Sequence, residues 1–264
     1  MRRDFPPRRS LFFSVLVILM HGGVHMLNHF YSSLRLPSPP VGRPFIAINM
    51  ISSLDGKVTV QGELKPGSLG GSFDRQTMNV IRSRFDAVLS GGNTLRSHPF
   101  YLGVPQEYEK DRVSRGLNPQ PYTVCLTGSG RLDPDGPLFQ NPPLPPIVLT
   151  SSSGAENLDP AIKQVSQVEV LPEGAGMLEI SQLLLDKYNV HYLLVEGGPS
   201  VNYQFLQAGI VDQLFLTLAP RLVGARNEHS LAMGDEVLPQ PNEISLLSAH
   251  PHENELYLRY QLVW

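Results

Sequence analysis

The stretch that most limits the fold is "VHYLLVEGGPSVNYQFLQAG", residues 190–209. Its opening run is too apolar for a strand with one wet face, so it reads as a strand buried on both sides, at the centre of a parallel sheet. The segment "SVNYQFLQAG" reads as a helix closed by Gly209, because glycine adopts the left-handed conformation that ends helices. Glu196 stands between them with two glycines. Taken alone, that carboxylate is a turn residue facing water or a ligand group.

The same alternation begins near residue 44. Residues 44–52 read as a strand, 72–85 as a helix with Met78, Ile81 and Phe85 on one face, and 86–92 as a short buried strand ending in glycines. Residues 93–119 read as a long surface connection. Strands are expected at 121–127, 146–152 and 167–172, followed by an amphipathic helix at 175–189 with Leu178, Ile180, Leu183, Leu184 and Leu185 on its apolar side. The final third has no helices between its strands: "IVDQLFLTLAPRLV", "EISLLSAHPH" and "ELYLRYQLVW" follow one another, the last two as an antiparallel pair turned at "HPHEN". The expected fold is one α/β domain with flanking helices, its central sheet mostly parallel but ending in antiparallel carboxyl-terminal strands.

With 264 residues, 41% of them hydrophobic, the chain can bury an ordinary core. Its 21 basic and 24 acidic residues, net charge −3, leave no broad basic surface, so nucleic acid is not an expected partner. The single cysteine, Cys125, excludes an internal disulfide and a multi-cysteine metal site; within "YTVCLT" it reads as a small buried strand residue. No metal is expected, and the composition fits a cytoplasmic protein. "MRRDFPPRR" followed by "LFFSVLVILM" has the order of a secretory signal, but ten apolar residues are short for a membrane span. Residues 1–43 are read as a poorly ordered extension, proline-rich at its end, and 44–264 as the folded domain, with Met26 an alternative start.

Open α/β sheets hold ligands at the carboxyl ends of their strands. Four segments lie at such ends: "SSLDGKVT", "LSGGNTLR", "LTSSSG" and "VEGGPSVN". Two of them place paired glycines between strand and helix, where backbone N–H groups can approach a phosphate closely. Neither the G-x-G-x-x-G fingerprint nor a P-loop occurs, and "TGSGR" lacks the third glycine.

"AINMISSLDGKVT", "RSRFDAVLSGGNTLR" and "LLVEGGPSVNYQFLQAGIVDQLFLTLAPRLVG" together resemble the signature regions of the riboflavin-pathway pyrimidine reductases, from about Pro44 to the carboxyl terminus. The resemblance implies a dihydrofolate-reductase-like fold and a stand-alone reductase with no deaminase domain before it. It further implies NADPH as cofactor and, as substrate, a 5′-phosphorylated aminopyrimidine whose ribosylamino chain is reduced to ribitylamino. A homodimer is implied by the same likeness. Glu196 matches a substrate-contacting glutamate, Arg82 a substrate-reaching arginine suited to phosphate, and Thr59 and Thr94 cofactor-contacting positions. Gly198, Pro199, Ser200, Val201 and Asn202 match the cofactor loop at a helix amino terminus. Asp55 and Lys57, in "SLDGK", are catalytic candidates beside Glu196: the lysine to bind phosphate or polarise the sugar oxygen, the aspartate to orient it. Without the resemblance Arg82 would be a solvated helix residue and Thr94 an ordinary helix cap.

The chain departs from the family at two places. "NTLRSHPFYLG" puts His98 where an aspartate is common and has no arginine in step downstream, and "GGS" lacks the tryptophan frequent before the helix. No histidine stands in a matched site, so the proton donor is left unassigned. Other functions stay in view: a folate reductase, which the match at Arg82 and the "EGG" loop disfavours; reduction of another small carbonyl or imine; non-catalytic nucleotide binding; and, from residues 11–20 alone, a secreted or membrane-anchored binding protein.

Overall fold

The computed structural model describes residues 29–61 and 68–264. Strand β1 (Phe45–Ser53) leads to helix α1 (Ser72–Arg82), strand β2 (Ala87–Gly91) and short helices α2 (Gly92–Ser97) and α3 (Glu109–Ser114). Strands β3 (Tyr122–Thr127) and β4 (Ile147–Thr150) precede helices α4 (Ser152–Asn157) and α5 (Pro160–Val165). Strand β5 (Gln167–Val170), helix α6 (Met177–Tyr188), strand β6 (Tyr192–Val195) and helix α7 (Pro199–Gln207) follow, and strands β7 (Gln213–Ala219), β8 (Glu243–His252) and β9 (Glu255–Val263) finish the chain.

All nine strands form one sheet in the order β5-β4-β3-β2-β6-β1-β7-β9-β8. Strand β6 lies between β1 and β2, parallel to both, as its apolar run predicts. Strand β9 is antiparallel to β7 and β8, so the antiparallel part is confined to the carboxyl-terminal edge. Side chains of alternating parity divide between two cores. Ala47, Phe215 and Leu194 face α1, whereas Ile46, Ile48 and Val195 face α6 and α7. Cys125 is fully buried, and burial pushes its thiol up to about 12, in keeping with a packing role.

Several expectations need correction. Residues 93–119 are not a surface connection: they hold α2 and α3, and Leu102, Val104 and Tyr108 are buried in the core on the α1 face. Burying such side chains contributes roughly 1.5–3 kcal/mol each, enough to seat a segment whose polar residues suggest solvent. Arg112 is wholly buried here. Its guanidinium donates to the carbonyls of Arg82, Phe85 and Asn118, satisfying groups that the end of α1 leaves open.

Helix α1 stops at Arg82 rather than residue 85, because Ser83 Oγ bonds back to the Val80 carbonyl and the next amides make three-residue turns. Strand β4 stops at Thr150, where Ser151 caps α4 by accepting from the Gly154 amide. Leu178 is exposed, since the buried stripe of α6 is Met177, Ile180, Ser181, Leu184 and Tyr188. The packed body also reaches back to His29, upstream of the expected start. Tyr31 and Leu34 are buried, and His29 Nε2 lies 2.9 Å from Thr77 Oγ1 on α1. The apolar run at 11–20 lies outside the described residues, among which no helix is long and apolar enough to cross a membrane.

Candidate active site

Where β2 and β6 end, their glycines meet. The Gly91 amide donates to the Gly197 carbonyl at 2.7 Å, and a Cβ at Gly91 would stand 2.8 Å from Val201 Cγ2. A Cβ at Gly198 would collide with Thr94 Oγ1, and one at Gly92 would come within 2.8 Å of Thr127 Cβ. The two glycine pairs are thus halves of one close backbone junction, the kind of site where any side chain would fill the space. The Gly197–Gly198 peptide is cis.

Around this junction opens a cleft of about 880 Å³. Thr59, Thr94, Gly198, Pro199, Ser200 and Val201 line it, as does His98. Helix α7 points its amino terminus at this space, with the first-turn amides lacking intrahelical partners. Asn202 does not line the cleft. It is fully buried, donates to the Leu231 carbonyl at 2.8 Å and so ties α7 to the loop that follows β7. Thr59 likewise accepts from the His229 amide at 2.8 Å. Sequence reasoning did not single out Arg96 or His229, which also line the cleft: Arg96 lies on α2, four residues past Gly92, and His229 in the long loop after β7, where no motif marks it.

A second, charged group adjoins the cleft on the α1 face. Arg82 and Glu196, with side chains 3% and 7% exposed, form an ion pair at 2.5 Å between Nη2 and Oε2, and Nε also donates to both carboxylate oxygens. Arg82 Nη1 donates to the carbonyls of Tyr101 and Gly103, and the Phe100 ring lies 5.8 Å from the guanidinium. Four of the five N–H donors of Arg82 are therefore committed. Arg82 is neither solvated nor extended toward a phosphate in this geometry, because burial obliges its charge to find a carboxylate. Asn49 on β1 adds a 3.4 Å contact to Glu196 Oε1. Arg112 holds the Arg82 carbonyl at 3.3 Å, which ties the pair to the α3 segment. Glu196 stands in the glycine turn that the sequence marks, but nothing local marks its pairing with Arg82.

Asp55 and Lys57 are not brought to this group. Asp55 is exposed and accepts from Ser53 Oγ, the Val223 amide and the Gly224 amide, bonds that hold its carboxyl down to about 2. It staples the β1 turn to the loop after β7. Lys57 Nζ reaches the Glu228 carbonyl at 3.4 Å, in the same loop. Among the described residues no cluster of His, Cys, Asp or Glu is placed to hold a metal ion.

The donor set suits a dinucleotide. Backbone amides at α7 and the hydroxyls of Thr94, Ser129 and Ser151 can meet a diphosphate and ribose across the cleft that opens beside the glycine junction. A 2,5-diamino-6-ribosylamino-4(3H)-pyrimidinone 5′-phosphate reductase of Aquifex aeolicus is 27% identical over 198 residues, 73% of this chain and 84% of the relative. The RibD protein of Escherichia coli is 26% identical over 191 residues, and the match spans half its length. A pyrimidine reductase-like protein of Corynebacterium diphtheriae superposes with a TM-score of 0.74 at 26% identity, covering 84% of this chain and 92% of that one. The fold is the dihydrofolate-reductase-like fold of these reductases. Residues 44–251 match the model of the RibD C-terminal domain, and the chain belongs to that family.

Proposed function

We propose that this protein reduces the ribosylamino side chain of 2,5-diamino-6-ribosylamino-4(3H)-pyrimidinone 5′-phosphate, or of its 5-amino uracil counterpart, to the ribitylamino form in riboflavin biosynthesis, with NADPH as reductant. Reductases of this family use a nicotinamide cofactor. Three relatives bearing the diaminopyrimidinone reductase name, from Aquifex, Methanothermobacter and Archaeoglobus, are spanned by this chain over 84%, 90% and 89% of their lengths. The observation that carries the reading is a juxtaposition: Glu196, in the charged group, is two residues from Gly198, in the cleft. One turn therefore joins the wall of the cleft to the buried carboxylate, which supports a cofactor and a substrate held side by side.

A bound nicotinamide supplies hydride to the ribose C1′. Thr94, Gly198, Ser200 and Val201 hold the dinucleotide, Thr59 lines its site, and Asn202 braces the loop from behind. Arg82 acts through Glu196, fixing the carboxylate so that it accepts hydrogen bonds from the pyrimidine amino edge or the sugar hydroxyls. Asp55 and Lys57 act from outside the cleft, holding the β1 turn against the loop that carries His229.

The test is NADPH oxidation by the purified full chain on the 2-amino and 2-oxo substrates, with Glu196→Gln as control. Turnover of one form, reduced roughly 10²-fold or more in the variant while NADPH still binds, is expected. Binding of NADPH without oxidation on either substrate would move the protein to the non-catalytic alternative.

A further inference from the structure

Asp74 takes no part in the site as described so far, yet it stands at its edge. It sits in the first turn of α1, the helix that ends with Arg82. Its carboxyl hydrogen-bonds Thr217 of β7, which pairs with Ile51 of β1 two residues beyond Asn49, on the same sheet face. Glu196 lies close enough to act on it electrostatically. Gly70 makes room for it, since a Cβ there would collide with the Asp74 carboxylate and approach Ile51 Cδ1 to 2.8 Å. Among the described residues Asp74 forms no ion pair.

The groups facing it are mostly acidic or neutral. Glu255 approaches from β9 and Glu196 from the end of β6, while among the described residues Arg75, exposed on α1, is the cation that acts on it. Tyr257 of β9 donates its hydroxyl to Glu255. Burial, then Glu255 and Glu196, raise the Asp74 carboxyl to about 6 against the pull of Thr217 and Arg75. Two neighbouring carboxyls thus have different surroundings. Glu196 gives both oxygens to Arg82, and Asp74 is placed to hold its proton to higher pH than an ordinary carboxyl, the usual division between electrostatic and acid roles.

Resting on the reductase reading, we propose that Asp74 is the acid of this site, giving its proton to the ring oxygen of the ribosylamino group as the sugar opens. The C1′–O4′ bond breaks with its electron pair going to O4′, which takes the Asp74 proton, while the nitrogen lone pair forms a C1′=N iminium. Hydride from the reduced nicotinamide adds to C1′, the π pair returns to nitrogen, and the neutral ribitylamine and oxidised cofactor result. The aspartate left behind, with Glu196, faces the transient cation, and solvent restores its proton.

The experiment compares Asp74→Asn with the wild-type full chain in kcat over pH 5–9, in NADPH binding and in the infrared carbonyl band of protonated carboxyls. Expected are a wild-type kcat that falls as pH rises through the Asp74 titration, a loss of about 10²–10⁴-fold in the variant with that limb abolished, unchanged NADPH affinity, and disappearance of one carboxylic-acid band. A variant that keeps its kcat, or loses it while keeping the pH limb, overturns the assignment and leaves the reductase reading standing. A wild-type chain that turns over neither pyrimidine overturns both. Should Asp74→Asn fail to fold, Thr217→Val serves: losing the bond that lowers the carboxyl moves the limb to higher pH, and an unmoved limb sinks the proposal.

Discussion

The cleft and the charged group beside it share one turn but are built in opposite ways. The cleft is mainly backbone and short side chains: paired glycines, helix amides and hydroxyls, several of them delivered by short runs at strand ends. The charged group consists of long side chains from distant places, with Arg82 and Glu196 separated by 114 positions and buried together. A backbone site tolerates changes of side chain but not of shape. A buried ion pair tolerates small changes of shape but not the loss of either charge.

The largest effect is expected at the pair. Arg82→Met leaves Glu196 buried without a partner and should destabilise the fold by about 3–5 kcal/mol in urea unfolding. Adding Glu196→Gln should recover part of that loss, because the stranded charge is gone; a double variant as unstable as the sum of the singles would break the view of the pair as one unit.

Next comes the junction. Gly91→Ala drives a methyl group against Val201 and should cost about 1–3 kcal/mol of stability, with weaker NADPH binding by titration calorimetry. Unchanged NADPH affinity there would detach the cleft from the cofactor.

A smaller effect separates Asp74 from Glu196 by pH. The folded-state value of Asp74 lies above its usual 3.8, so its contribution to stability is present below pH 4 and is lost as pH rises through about 6. Asp74→Asn should match wild type in Tm near pH 4 and exceed it by about 2–4 °C at pH 8, taking a change of about 1 kcal/mol in a domain of this size. His29, packed on Phe73 and Thr77 of α1, has the opposite sign. Burial, chiefly, lowers it to about 4, so its contribution is full above pH 6.5 and is lost as pH falls toward 4.

The smallest effect belongs to Asp55. Asp55→Asn should leave the fold intact and reduce hydrogen-exchange protection only at the Val223 and Gly224 amides it holds.

Much of this molecule was legible in one dimension. The central position of β6, the Gly209 helix end, the β8–β9 hairpin and the glycine loops of the cleft follow from local rules of periodicity and backbone freedom, which act over a few residues. The α3 segment was hidden because its core contacts are three apolar side chains scattered among polar ones, without a period to reveal them. The bonds of Asp55 were hidden for a related reason: a charged loop residue looks alike whether it faces a ligand or staples a neighbouring loop.

By itself the sequence determined an α/β sheet with an antiparallel end, two glycine turns at strand ends and membership in a reductase family. Only the tertiary structure decided that Arg82 closes on Glu196, that Arg112 holds the end of α1 and that Asp74 meets Thr217 instead of a cation. The reason is electrostatic. A charge excluded from water is governed by whichever group the fold brings within a few ångströms, and that neighbour can lie a hundred residues away.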